Sequence, residues 1–77
     1  MQNETKNVLI YGANKRGINT ALTIKNSPTY KLFGFIESDT KKIGKRIDNV
    51  VIYSHKKINQ LINKHKINII LISKENN

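Results

Sequence analysis

Seventy-seven residues allow one small domain, and a chain of that size buries roughly 60–65% of the surface it exposes when unfolded. The absence of cysteine excludes a disulfide framework and a thiolate metal site, and His55 and His65 stand apart without acidic neighbours, so no metal is expected. A net charge of +9 raises the question of nucleic acid, yet twelve lysines, eleven asparagines and thirteen isoleucines make up nearly half the chain, the composition of an A/T-rich genome. The lysines are scattered, there are only two arginines, and aromatic and basic residues do not interleave, so a solvated basic surface is expected and nucleic acid is not the expected partner.

Residues 1–6 are polar and are expected to be disordered, with the domain running from 7 to 77. Val8-Leu9-Ile10-Tyr11 is apolar on both faces, as a parallel strand covered by helices on each side should be. Gly12 ends that strand and Gly17 follows five residues later. Ile18, Ala21 and Leu22 then give one apolar face to a helix over about 15–26, which Ser27-Pro28 terminates. Tyr30 to Glu37 reads as a second buried strand in which Gly34 marks a close backbone approach.

Residues 38–47 carry charge and two isolated isoleucines, which predicts a crossover loop with at most one helical turn. Asp48-Asn49 forms a turn before a short third strand, Val50-Val51-Ile52-Tyr53. Ser54 caps an amphipathic helix of about 55–65 built on Ile58, Leu61, Ile62 and His65. The fourth strand is Ile67 to Ser73, again apolar on both faces. The fold class expected is therefore α/β: a Rossmann-like three-layer domain on a mostly parallel four-stranded sheet with right-handed crossovers and strand order 3-2-1-4. Because a strand of this character belongs inside a sheet, the chain reads as a fragment of a longer protein, or else as one that self-associates through the edge at 67–73. Its longest apolar run, Ile69 to Ile72, is far short of the roughly 20 residues a membrane span needs, and Met1 to Thr5 has no signal-peptide character, so a cytoplasmic location is expected.

The chemistry sits in the turn. In a dinucleotide fingerprint the first glycine permits the turn, the second lets a pyrophosphate approach the backbone and the third lets the helix pack on the strand. Gly12 and Gly17 fill the first and third places, Ala13 lies between, and Asn14 stands where the second glycine would be, its Cβ in space a diphosphate would use. Lys15 and Arg16 offer compensating charge beside the helix N-terminus. Glu37, at the end of strand 2, stands where an acid usually bonds a ribose hydroxyl, and Lys41 and Lys42 beside it leave NAD and NADP both open. Gly12 to Gly17 and Glu37 are thus the candidate cofactor-binding residues. The competing reading is that the glycines serve only turn and packing while Glu37 and Asp39 are solvated loop acids. Tyr11 with Lys15 and Tyr53 with Lys57 show a tyrosine-lysine spacing used in proton transfer, but in a lysine-rich chain such pairs arise by chance, and no catalytic residue is expected.

Val8 to Ala13 with Gly17, Asn26-Ser27-Pro28 with Tyr30, Gly34-Phe35-Ile36 followed by acids, Ile43 to Ile47 and Val50 to Tyr53 resemble the N-terminal nucleotide-binding-like domain of CapD-type bacterial polysaccharide-biosynthesis proteins. These are membrane-associated nucleotide-sugar epimerases or 4,6-dehydratases. The resemblance runs from about 7 to 73. It implies a non-catalytic nucleotide-binding or regulatory domain, a nucleotide or nucleotide-sugar as ligand, catalysis in a separate domain of the parent chain, and a parent attached to the inner face of the membrane. The family turn usually reads Gly-Ala-Gly, so Asn14 is the departure. A structural or assembly domain that binds nothing is the alternative, and a basic nucleic-acid-binding module is the third.

Overall fold

The computed structural model describes residues 5–73. The expected disorder of the first residues and the tail at 74–77 fall largely outside the described residues, although β1 begins at Lys6, inside the segment expected to be disordered. In chain order the elements are β1 (Lys6–Tyr11), α1 (Lys15–Lys25), β2 (Tyr30–Glu37), β3 (Arg46–Ile47), β4 (Val50–Ser54), a 3-10 turn (His55–Lys57), α2 (Ile58–His65) and β5 (Ile67–Ile72).

The sheet order is β3-β4-β2-β1-β5. β1 lies between β2 and β5 and pairs parallel with both, and β2 pairs parallel with β4. This is the anticipated 3-2-1-4 order of the long strands, with one addition. Arg46–Ile47 pairs antiparallel with Val50–Val51, so a fifth, two-residue strand closes a hairpin where a plain loop was expected. Asp48 and Asn49, both at positive φ (51° and 69°), form the two-residue turn, the backbone that a type I′ hairpin requires and that Asn and Asp tolerate. The preceding segment makes a single turn, with Ile43 N–H donating to Asp39 O, and is held on β4 by Gly44 N–H to Ile52 O.

Alternation along β1 explains the three layers. Val8 and Ile10 point to one face, where they pack with Ala13, Phe35, Ile52 and Ile24 of α1. Leu9 points to the other and packs with Ile36 and Leu61 of α2, flanked by Ile58, Ile67 and Ile70. Val8, Leu9, Ile10, Phe35 and Ile36 are all but inaccessible, so the core is centred on the C-terminal halves of β1 and β2. β2 is exposed over its first residues and buried over its last four. Gly34 is required by packing: a Cβ there would lie 2.7 Å from the Tyr53 ring, which stacks on Phe33 at 5.9 Å.

Ser54 caps as expected, accepting from Lys56 N–H at 3.2 Å, but it starts the 3-10 turn, and the α-helix proper begins at Ile58. α2 ends at Lys66 in the left-handed region, and the Asn7 side chain donates to the His65 and Lys66 carbonyls, satisfying two helix-end acceptors from the neighbouring strand. The His65 ring packs on Phe33 at 4.5 Å. β5 forms the sheet's outer strand beside β1, leaving Leu71 38% and Ile72 70% exposed.

Candidate functional site

The C-terminal ends of β1, β2 and β5 converge on the turn 12–14, the place where open α/β sheets take ligands. Gly12 N–H continues the ladder to Ile36 O and Ser73 N–H to Tyr11 O, each at 2.8 Å, so the turn is clamped between the two neighbouring strands. Gly12 has φ +116° and a Cβ would collide with the Ser73 carbonyl oxygen. At Gly17 a Cβ would collide with the Gly12 carbonyl oxygen, so this glycine brings α1 down onto the turn, the packing role expected of it.

Asn14 is the N-cap of α1. Its Oδ1 accepts from Gly17 N–H at 2.8 Å and from the Ser73 hydroxyl at 3.1 Å, and its Nδ2 donates to Ser73 O at 2.9 Å. The side chain is thus turned back onto the end of β5. The N–H groups of Asn14, Lys15 and Arg16 have no acceptor among the described residues, as is usual for the first turn of a helix. No acid occupies that turn, and the side chains of Lys15 and Arg16 are exposed beside it. Two cations at a positive helix end are unfavourable by themselves and become favourable with an anion there.

Glu37 is 8% exposed. Its Oε2 accepts from Ala13 N–H at 2.7 Å and its Oε1 from Asp39 N–H at 3.3 Å. Far from being a solvated loop acid, it is held by two backbone donors, one on the glycine turn and one on its own following loop. Lys42 Nζ, on the loop that follows, donates to Ala13 O at 3.1 Å and stands 3.8 Å from Glu37 Oε2. Gly12, Ala13, Asn14, Gly17 and Glu37 therefore form one cluster, with Lys15 and Arg16 at its rim. Lys42 was expected only as a neighbour of Glu37, and its reach to Ala13 O depends on the path of a loop that no pattern encodes. Ser73 carried no signal beyond ending a strand.

Other features lie elsewhere. A cavity of about 420 Å³ lined by Ile18, Leu22, Leu32, Phe35, Ile47 and Val50 also takes in Thr5, Tyr30 and Lys31, at the N-terminal ends of β1 and β2 and away from the turn. Tyr53 is packed against Phe33 and over Gly34, in agreement with a structural role. Among the described residues no three His, Asp or Glu side chains converge, and no helix is long and apolar enough to cross a membrane.

The family model described as "CoA binding domain" matches residues 3–76. The chain belongs to the CoA binding domain family. Its Rossmann-like fold is shared with solved structures. The domain superposes on UDP-D-quinovosamine 4-dehydrogenase from Vibrio fischeri with a TM-score of 0.83 and 34% identity over 88% of this chain. It also superposes on RSP, a Rex-family repressor: the complex with β-NADH gives a TM-score of 0.82 at 24% identity over 92% of this chain, and the complex with β-NAD+ and operator DNA 0.82 at 22%. The repressor likeness establishes the fold alone. This chain spans 56% of the dehydrogenase chain and about a third of the repressor's, at 35% and 33% in the two complexes. No curated protein matches the sequence closely enough to be counted a relative.

Proposed function

We propose that this CoA binding domain is a nucleotide-binding or regulatory module, itself non-catalytic, of a bacterial nucleotide-sugar-modifying enzyme of the CapD type that acts in polysaccharide biosynthesis. One observation carries the reading. Three successive N–H groups, at Asn14, Lys15 and Arg16, have no acceptor among the described residues and lie beside two exposed cations and next to a buried carboxylate fixed on the same turn. A diphosphate would take the N–H groups, Lys15 and Arg16, while a ribose hydroxyl would donate to Glu37. Asn14 is compatible with this because its side chain is engaged with Gly17 and Ser73 and leaves its own N–H unpartnered. The likeness to a UDP-sugar dehydrogenase supports a nucleotide-sugar context, with NAD, NADP or a UDP-sugar as the ligand and an epimerase or dehydratase as the parent activity. Catalysis would belong to another domain of such a parent, on the cytoplasmic side of the membrane. Calorimetric titration with NAD, NADP and a UDP-sugar tests it: saturable binding of one of them, abolished by R16E, is expected. Heat of dilution alone for all three would refute it.

A second reading has its own observation. Among the described residues β5 has no strand on its outer side, with Leu71 and Ile72 exposed and no charged side chain within Ile67–Ile72 to discourage pairing. An assembly domain that binds no ligand would use that edge to pair with a second copy. Sedimentation equilibrium at high concentration distinguishes it: a dimer abolished by I72K supports the reading, and a clean monomer opposes it.

A further inference from the structure

Lys42 stands beside the carboxylate that a ribose hydroxyl would have to reach. A hydroxyl that bonds Oε2 of Glu37 would have to use the lone pair that Ala13 N–H, at 2.7 Å, leaves open. Lys42 Nζ lies next to that oxygen, 3.1 Å from Ala13 O and 3.8 Å from Glu37 Oε2. The loop that carries it is itself restrained. Lys41 N–H bonds Asp39 Oδ1 at 3.0 Å, Lys42 N–H bonds Asp39 O at 3.0 Å, and Gly44 N–H bonds Ile52 O at 2.8 Å. The lysine is therefore delivered to Ala13 by a short tethered loop, although its side chain remains 41% exposed and free to swing out.

We propose that Lys42 is a self-occupying latch on the nucleotide site, an ammonium that fills the place of the ribose diol until a nucleotide displaces it. The inference rests on the nucleotide reading above and adds to it a regulatory contact. It makes a prediction of unusual sign. Removing a cation from an anion site ordinarily weakens binding, because the Coulomb attraction falls. Removing a latch strengthens it, because the ribose no longer has to break the Lys42 bond to Ala13 O.

The test measures the dissociation constants of ADP and of 2′,3′-dideoxy-ADP from the amide shifts of residues 13–17, in the wild-type chain and in K42M. The methionine keeps the stem and removes the donor. K42M should bind ADP about three- to tenfold more tightly, the size of one exchanged hydrogen bond, while its affinity for the dideoxy nucleotide, which has no hydroxyl to give Glu37, does not rise. Weaker or unchanged ADP binding in K42M overturns the latch, and so does an equal gain for both nucleotides. If neither nucleotide moves those amides in either protein, the latch is overturned, while the nucleotide reading stands or falls on the titration with NAD, NADP and a UDP-sugar. Matching thermal midpoints for the two proteins verify that the substitution leaves the fold intact.

Discussion

Replacing Asn14 separates its structural role from the glycine that the dinucleotide fingerprint would place there. In N14A the α1 cap to Gly17 N–H disappears, which costs about 1 kcal/mol. The Ser73 carbonyl and hydroxyl lose their partner as well, and because Ser73 is buried this adds about 1 kcal/mol. For a domain of this size roughly 2 kcal/mol lowers the melting temperature by about 10 °C. N14G should fall between wild type and N14A, since glycine at an N-cap costs only a few tenths of a kcal/mol while the Ser73 bonds are still lost, about 1 kcal/mol together. N14D keeps an acceptor for Gly17 N–H and gains from the helix dipole, but it cannot donate to Ser73 O, so it too should be intermediate. Thermal unfolding followed by circular dichroism ranks the four proteins. An N14A midpoint within about 2 °C of wild type would refute the account of the turn as clamped to β5 through Asn14.

Other substitutions test the packing. L9A removes a fully buried side chain on the α2 face and should cost about 3–4 kcal/mol in denaturant unfolding, a large share of the stability of so small a domain. G34A should destabilise by about 1 kcal/mol or more because its Cβ meets the Tyr53 ring; in a Y53A background that penalty should shrink to what the 3.2 Å approach to Val51 O costs, and a double-mutant cycle reads the coupling. K25A breaks the 2.9 Å ion pair with Asp48, but both side chains are well exposed, so stability should change by less than about 0.5 kcal/mol. N49G relieves a positive φ in the β3–β4 turn and should raise the unfolding free energy slightly, by a few tenths of a kcal/mol, read by denaturant unfolding.

The long strands were legible as continuous apolar runs. Val8 to Tyr11 packs on both faces, as a parallel strand between helices does, whereas Ile69 to Ile72 carries the same kind of run at the sheet's outer edge with Leu71 and Ile72 exposed. The two helices declared themselves by period, and Gly12 with Gly17 fixed the join between β1 and α1. β3 was not legible. Two residues carry no periodicity, and Arg46–Ile47 becomes a strand only through the turn chemistry of Asp48 and Asn49, which was read as a turn without its hairpin.

In the site, Glu37 was read as the acid that ends strand 2, while its burial and its bond to Ala13 N–H follow from the depth of β2 in the sheet. Asn14 was weighed as an obstacle to a diphosphate. Its preference for helix N-caps was the available signal for the role it plays, while its bonds to Ser73 join residues 59 apart in sequence and left no trace in local pattern. Lys42 over Ala13 is of the same kind, a contact across 29 residues made by a flexible side chain.

The most direct test of the central claim is a titration of the isotopically labelled domain with NAD, NADP and a UDP-sugar at millimolar concentration, following the backbone amides by NMR. The three unpartnered N–H groups at Asn14, Lys15 and Arg16 are the predicted contacts, so their resonances should shift and saturate with at least one ligand, with Ala13 following through Glu37. Amides from 12 to 17 that stay unmoved by every one of these ligands would contradict it.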